Sequence, residues 1–243
     1  MGAKEDRRED ADVETSSEGY AGRFSGSVGA FFLETQATAT LALLRPWPGA
    51  TVLDVGGGHG QVTGPLVEGG YDVTVLGSDA ACRTRVASWV DAGRARFETG
   101  DLLRLPFPDA SFDVALSYRL LPHVTRWLDL VAELSRVARR AVLVDYPTSR
   151  SVNALAGPFF GLKKGVEGNT RPFRVFRDRE IEGAFATRGF LPTARRPQFL
   201  LPMALYRALG SAWVARSVEG AARVLGLAQA LGSPVILRLE PRG

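Results

Sequence analysis

From Thr51 to Pro147 the chain alternates between short apolar runs and helix-like stretches, and this alternation constrains its fold more than any other feature. "TVLDVG" (51–56), "DVTVLG" (72–77), "ARFETGD" (95–101), "FDVALSY" (112–118) and "RAVLVDYP" (140–147) read as strands. Between them "QVTGPLVEGG" (61–70), "AACRTRVASWVDAG" (80–93) and "VTRWLDLVAELSRVAR" (124–139) read as helices. In the last of these, Trp127, Leu128, Val131, Leu134 and Val137 are expected to share one apolar face. Buried strands joined by helical crossovers predict a mostly parallel sheet with helices on both faces, an α/β, three-layer, doubly wound fold. Downstream, "RDREIEGAFATRGF" (177–190) resumes as a helix, "LPTARRPQFLL" leads into a sixth strand, and "PVILRLEPR" (234–242) closes as a strand.

The remaining segments set the expected organisation. Residues 1–18 are charged and poor in apolar side chains, which predicts a disordered tail. Residues 19–243 are expected to form a single domain. Within it, 19–48 form an N-terminal helical lid that the two prolines of "RPWPGA" bring to a stop. Residues 148–176 interrupt the alternation with aromatics, glycines and basic residues, and 201–232 form a long, largely apolar helical insertion broken near Gly210. That last segment has two readings. Its apolar side chains pack in a core or a dimer face, or Phe199, Leu200, Leu205 and Trp213 with Arg207, Arg216 and Arg223 meet a membrane surface or a lipidic acceptor. The core reading is preferred, because apolar stripes at helical spacing usually face a core.

Composition narrows the chemistry. One cysteine, Cys82, allows neither an internal disulfide nor a cysteine-based zinc site, and two histidines make no obvious cluster, so no metal is expected. There is no secretory-type apolar region, no myristoylation signal (Asp6 stands where it needs Ser or Thr), and no run of about 18 uncharged apolar residues. A cytoplasmic location is the default expectation. The formal charge of +4 comes without a dominant basic tract, so no nucleic-acid partner is expected. The chain is read as a monomer or homodimer.

"VLDVGGGHG" places Gly56, Gly58 and Gly60 directly after a buried strand. Glycines there let the backbone turn sharply and approach a ligand, and the following helix start offers free N–H groups. Gln61 stands where a dinucleotide fingerprint needs its third glycine, which argues against a nicotinamide oxidoreductase. Asp54, just before the turn, is placed to hold a water or a ligand ammonium. Asp101 and Leu102 end the third strand, and Ser117 and Tyr118 end the fourth, at the carboxyl edge where ligands sit in open parallel sheets.

With these features together, the sequence resembles the class I S-adenosylmethionine-dependent methyltransferases, of the small-molecule methyltransferase-domain kind. The motifs that carry the resemblance are Asp54–Gly60, "GDLLRLPFPDASFD" (100–113) and "LSYRLLPHV" (116–124). The resemblance implies a sheet of about seven strands with an antiparallel last strand, S-adenosylmethionine as cofactor and S-adenosylhomocysteine as product. It implies that Gly56, Gly57, Gly58 and Gly60 approach the methionine part, that Asp101 bonds the adenine amino group, that Leu102 packs on the ring, and that Ser117 contributes mainly backbone. Members usually carry an acid about 17 residues beyond the last glycine, bonded to both ribose hydroxyls; here that place is Gly77, and Asp79 is two residues later. Three readings stay open: Asp79 shifts into place, Ser78 or backbone N–H groups replace the acid, or Asp79 only caps the next helix.

For the acceptor, a small molecule is expected, with the methylated atom (O, N or C) open. His123 is the candidate base, because imidazole titrates near neutrality, although packing at a helix start is an equal alternative. Tyr118 and Arg119 are further catalytic candidates, and Asp145 and Tyr146, which also end a strand at this edge, are candidates for the acceptor pocket. Arg171 and Phe173, with Arg174, are acceptor candidates from the 148–176 insertion, and Tyr20 and Phe24 are candidates for a lid over the cofactor. The competing class is a degenerate methyltransferase fold that binds or regulates without catalysis.

Overall fold

The computed structural model describes residues 9–152 and 173–243. Seven strands form one sheet: β1 (Thr51–Val55), β2 (Asp72–Gly77), β3 (Ala95–Thr99), β4 (Phe112–Ser117), β5 (Ala138–Tyr146), β6 (Phe190–Phe199) and β7 (Ser233–Pro241). Their order is β3-β2-β1-β4-β5-β7-β6. The first five run parallel, and β7 lies antiparallel between β5 and β6. The chain direction across the sheet therefore reverses between β1 and β4, which opens a crevice above their carboxyl ends.

The helices are α1 (Ala11–Thr15), α2 (Glu18–Ala21), α3 (Gly26–Leu44), α4 (Thr63–Glu68), α5 (Ala87–Asp91), α6 (Trp127–Val137), α7 (Asp178–Ala186), α8 (Met203–Leu209), α9 (Ala212–Val224) and α10 (Leu227–Leu231). Apolar side chains on alternate positions of each central strand go to opposite faces. On one face Val52, Val73, Val75, Val114 and Leu116 pack with Leu43 and Leu44 of α3 and Leu66 of α4. On the other, Leu53, Val55, Val142 and Val144 pack with Leu130, Val131 and Leu134 of α6 and Ile181 and Phe185 of α7. This is the expected three-layer architecture.

Several expectations are corrected. The tail does not stay disordered throughout: from residue 9 it is structured, and Ala11 and Asp12 of α1 are fully buried. Residues 1–8 of that expected tail lie outside the described residues, as does most of the 148–176 insertion. The helix expected over 80–93 is split into a 3-10 turn (Ala80–Arg83) and α5. In α6, Leu128 faces outward, 53% exposed, and Leu130 takes the inner place. Among the described residues one helix, α3, is long and apolar enough by length and composition to cross a membrane, and 44% of its apolar window is buried within the fold.

The 201–232 segment divides at Gly210 and Gly226, both at positive φ, into α8, α9 and α10. Its inner face closes a third cluster in which Phe31 and Phe32 of α3, Phe199, Tyr206 and Ala215 meet. Glu219 of α9 locks this unit, accepting from the Tyr206 hydroxyl at 2.6 Å and the Leu200 N–H at 2.9 Å. Trp213, Val224 and Leu225 face outward, at 76%, 88% and 70% exposure. The segment therefore both packs in a core and leaves an apolar outer side.

Candidate functional site

The crevice is built on the turn after β1. Gly56 and Gly60 adopt φ of 73° and 69°, a backbone region that side chains with a Cβ disfavour. Asp54 lies beneath them at the end of β1, level with Val75 of β2 and Leu116 of β4. Its side chain is fully buried, and neither carboxylate oxygen has a hydrogen-bond partner. Burial alone pushes its pKa up to about 7. A buried carboxylate without donors is costly, and such groups concentrate where a ligand supplies the missing partner. His59, inside the turn, is also buried; burial first, then the nearby Arg119 charge, lowers its pKa to about 4. Its Nδ1 accepts from the Gln61 N–H at 3.1 Å, so at neutral pH it is an uncharged fixture of the turn.

At the end of β2 the structure explains the absent acid. A Cβ on Gly77 would lie 2.7 Å from Cys82 Cβ and 2.9 Å from Phe97 Cζ, so the packing of this loop admits no side chain there. Asp79 is exposed and caps the following 3-10 turn, accepting from the Ala81 N–H at 2.8 Å. Of the three open readings for Asp79, the cap is the one its contacts match. Ser78 is buried, and both of its donors are taken by a residue the sequence did not single out. Asp12 of α1 accepts from the Ser78 N–H at 2.7 Å and from its hydroxyl at 2.5 Å. Sequence reasoning missed Asp12 because it sits among Glu9, Asp10 and Glu14 in a stretch with the composition of a solvated tail.

The other cofactor candidates gather around the same crevice. Asp101 follows β3, and its Oδ1 accepts from the Leu103 N–H at 2.9 Å. Leu102 is fully buried in the apolar cluster that also holds Leu76 and Ala11. Ser117 ends β4, and its hydroxyl donates to the Val55 carbonyl at 3.0 Å, tying β4 to the glycine turn.

Beyond β4, Arg119 has φ 60°, uncommon for a residue with a side chain. The conformation is held by Asp145 at the end of β5, which accepts from the Arg119 N–H at 2.7 Å and lies 3.5 Å from its Nε. Burial raises the pKa of Asp145, and the Arg119 charge opposes that rise. The Arg119 guanidinium also lies 5.5 Å from the centre of the Phe24 ring, and Tyr20 packs on Phe24 at 5.7 Å. The two expected lid residues thus stand over the Arg119–Asp145 pair. His123 ends a 3-10 turn after β4, and Phe173 packs on its ring at 5.5 Å.

Two tyrosines expected at the site have their hydroxyls engaged within the fold. Tyr118 shares strand parity with Val114 and Leu116 and enters the α3 side of the core, where its hydroxyl meets Thr40 Oγ1 at 2.9 Å. Tyr146 is fully buried against Phe176 and donates to Asp178 at 3.1 Å. Arg171 lies outside the described residues. Arg174 is described and lies against Trp127 and Phe176, 5.3 and 5.1 Å from the ring centres. Among the described residues, no three His, Cys, Asp or Glu side chains are grouped to hold a metal ion.

Residues 53–144 match the family described as Methyltransferase domain. An O-methyltransferase of Penicillium expansum is 34% identical over 111 residues, covering 42% of this chain and 40% of that protein. A demethylmenaquinone methyltransferase of Deinococcus radiodurans is 38% identical over 121 residues, covering 46% and 48%. The chain thus spans less than half the length of these curated relatives. Among solved structures, the magnesium protoporphyrin IX methyltransferase of Synechocystis with bound S-adenosylhomocysteine aligns with a TM-score of 0.63 at 14% identity, over 88% of this chain and 85% of that one. The 1,6-didemethyltoxoflavin-N1-methyltransferase of Burkholderia thailandensis aligns with a TM-score of 0.57 at 18% identity, over 86% and 77%. At such identities these two likenesses carry the fold.

Proposed function

We propose that this chain, whose residues 53–144 are a methyltransferase domain of the class I, Rossmann-like fold, is an S-adenosylmethionine-dependent methyltransferase acting on a small organic acceptor. The observation that carries the reading is Asp54: a fully buried carboxylate with no partner, beneath a glycine turn, at the crevice where such sheets take ligands. It suits the ammonium of the cofactor's methionine part, directly or through a water. Gly56, Gly58 and Gly60 let that part approach the backbone, Asp101 and Leu102 serve the adenine, and Ser78 serves the ribose once Asp12 gives up its two donors. The cofactor supplies an electrophilic methyl group on a sulfonium.

What the chain contributes is position and proton control. Arg119, fixed by Asp145 and covered by Phe24, holds an acidic or hydroxyl group of the acceptor at the carboxyl end of β4. His123, with Phe173 against its ring, takes the proton of an acceptor hydroxyl. The O-methyltransferase and the demethylmenaquinone methyltransferase among the relatives support a small organic acceptor over a macromolecule.

Calorimetric titration with S-adenosylhomocysteine tests the cofactor reading. Binding is expected to tighten as pH rises through about 7, because the ligand's ammonium favours ionised Asp54. The Asp54→Asn variant should lose affinity by about tenfold or more and lose this pH dependence, the charge-assisted contact being worth roughly 1.5–3 kcal/mol. Wild-type-like binding by that variant at every pH would remove Asp54 from the site. Turnover with a panel of hydroxylated aromatics and quinols then tests the acceptor class.

A further inference from the structure

Helix α1 stands in the cofactor crevice itself. Ala11 is buried in the cluster that holds Leu102, Asp12 takes both donors of Ser78, and the Ser16 side chain lies directly over Gly58. Ala11, Asp12, Thr15 and Ser16 are all buried there. A ligand reaching from the glycine turn to the ends of β2 and β3 must cross the space these four residues fill. We propose that α1 and the cofactor are mutually exclusive occupants, so that the N-terminal segment shuts the site until Asp12 releases Ser78. This rests on the cofactor reading above.

The construction of α1 suits a displaceable plug. It is five residues long, and its N-cap, Asp10, makes no side-chain capping bond. A helix so short does not hold itself together in water, so its docking depends on tertiary contacts. Those contacts centre on Asp12, which accepts from Ser78 twice and from the Cys82 thiol, with Ala11 and Thr15 buried beside it and Ser16 over Gly58. The neighbouring α2 has its own cap, Ser17 accepting from the Tyr20 N–H at 3.2 Å, and its own tie to the fold, Glu18 pairing with Arg85 at 2.7 Å. Release therefore moves α1 together with Ser16, with Ser17 as the natural pivot. Asp12 also covers the chain's single thiol. Cys82 Sγ lies 3.5 Å from Asp12 Oδ2 and is fully buried. Undocking of α1 uncovers it.

That thiol gives a readout independent of any ligand. In the ligand-free full chain, Asp12→Ala is expected to speed modification of Cys82 by a disulfide reagent by about tenfold or more. The Kd for S-adenosylhomocysteine should fall by the same factor, because apparent affinity scales with the open fraction. Asp12→Asn keeps the size of the side chain and should move both quantities in the same direction by less, guarding against a misfolded alanine variant. Unchanged or weaker binding with a reactive Cys82 would overturn the inference and leave the cofactor reading intact; weaker binding would make Asp12 a ligand holder. A Cys82 that stays protected in both variants would also overturn it. If Cys82 becomes reactive and S-adenosylhomocysteine binds neither wild type nor variant, the cofactor reading itself fails, and the plug with it.

Discussion

The two edges of the sheet hold the same residue type in opposite conditions. At the amino edge, Asp113 of β4 accepts from the Thr51 N–H and hydroxyl, each at 3.1 Å, and from Arg139 and Arg140, each at 2.8 Å. Burial alone would raise its pKa, but the Arg139 hydrogen bond and the two from Thr51 outweigh this and hold it at about 2. At the carboxyl edge, Asp54 of β1 is buried without a donor and sits at about 7. The amino edge spends its aspartate on joining β1, β4 and β5. The carboxyl edge carries an unsatisfied charge, which costs stability unless something else completes it.

The contrast predicts opposite signs for the same substitution. The largest effect is expected for Asp54→Asn. The folded pKa of Asp54 lies above its unfolded value, so the stability it confers is full below about pH 4 and is lost as pH rises through 7. The variant escapes that loss. In urea titrations without ligand it should gain on wild type between pH 4 and 8, by on the order of 4 kcal/mol for the full shift. His59, held at about 4, contributes with the opposite slope between its folded pKa and its ordinary value of 6.5, so the wild-type profile alone hides both groups. The difference between variant and wild type isolates Asp54, and a difference that is flat with pH would break the comparison.

Asp113→Asn should act the other way. The folded pKa of Asp113 lies below its unfolded value, so its contribution is full above about pH 4 and is lost as pH falls through 2. The variant should lose about 2 kcal/mol at pH 7, with an unchanged Kd for S-adenosylhomocysteine. An altered Kd would mean that the two edges are coupled. The smallest effect belongs to Asp79→Ala. Removing an exposed cap costs about 1 kcal/mol or less and should leave ligand affinity alone. A large loss of affinity would return Asp79 to the ribose.

The strands were legible because each combines a short β-rich run with a glycine or proline boundary, and the crevice because a glycine turn follows the first of them. The position of the missing acid was also legible at Gly77. The partner of the neighbouring Ser78 was not, because the pairing of Asp12 with Ser78 spans 66 residues and leaves no periodic trace. The tyrosines show the opposite failure. The parity of Val114, Leu116 and Tyr118 already placed Tyr118 on the α3 face, but its position at a strand end outweighed the pattern in the reading. The break of 80–93 into a 3-10 turn and α5 follows from Asp79 capping close under the tight packing of Cys82 against Gly77, a tertiary constraint that composition does not carry.

The place of β7 in the sheet also bears on how the protein is made. Among the described residues, β6 has β7 as its only strand neighbour, and β7 alone joins it to β5. On the ribosome, β1 to β5 can assemble while translation continues, since each finds its neighbours among segments already synthesised. β6, with its apolar Phe190 and Phe199, emerges more than thirty residues before the strand that receives it. During that interval its edge groups are unpaired, the condition in which nascent strands are captured by chaperones or by one another. The three helices made in between, which seat Phe199 against Tyr206 and Ala215, are the chain's own means of sheltering it until the last strand arrives.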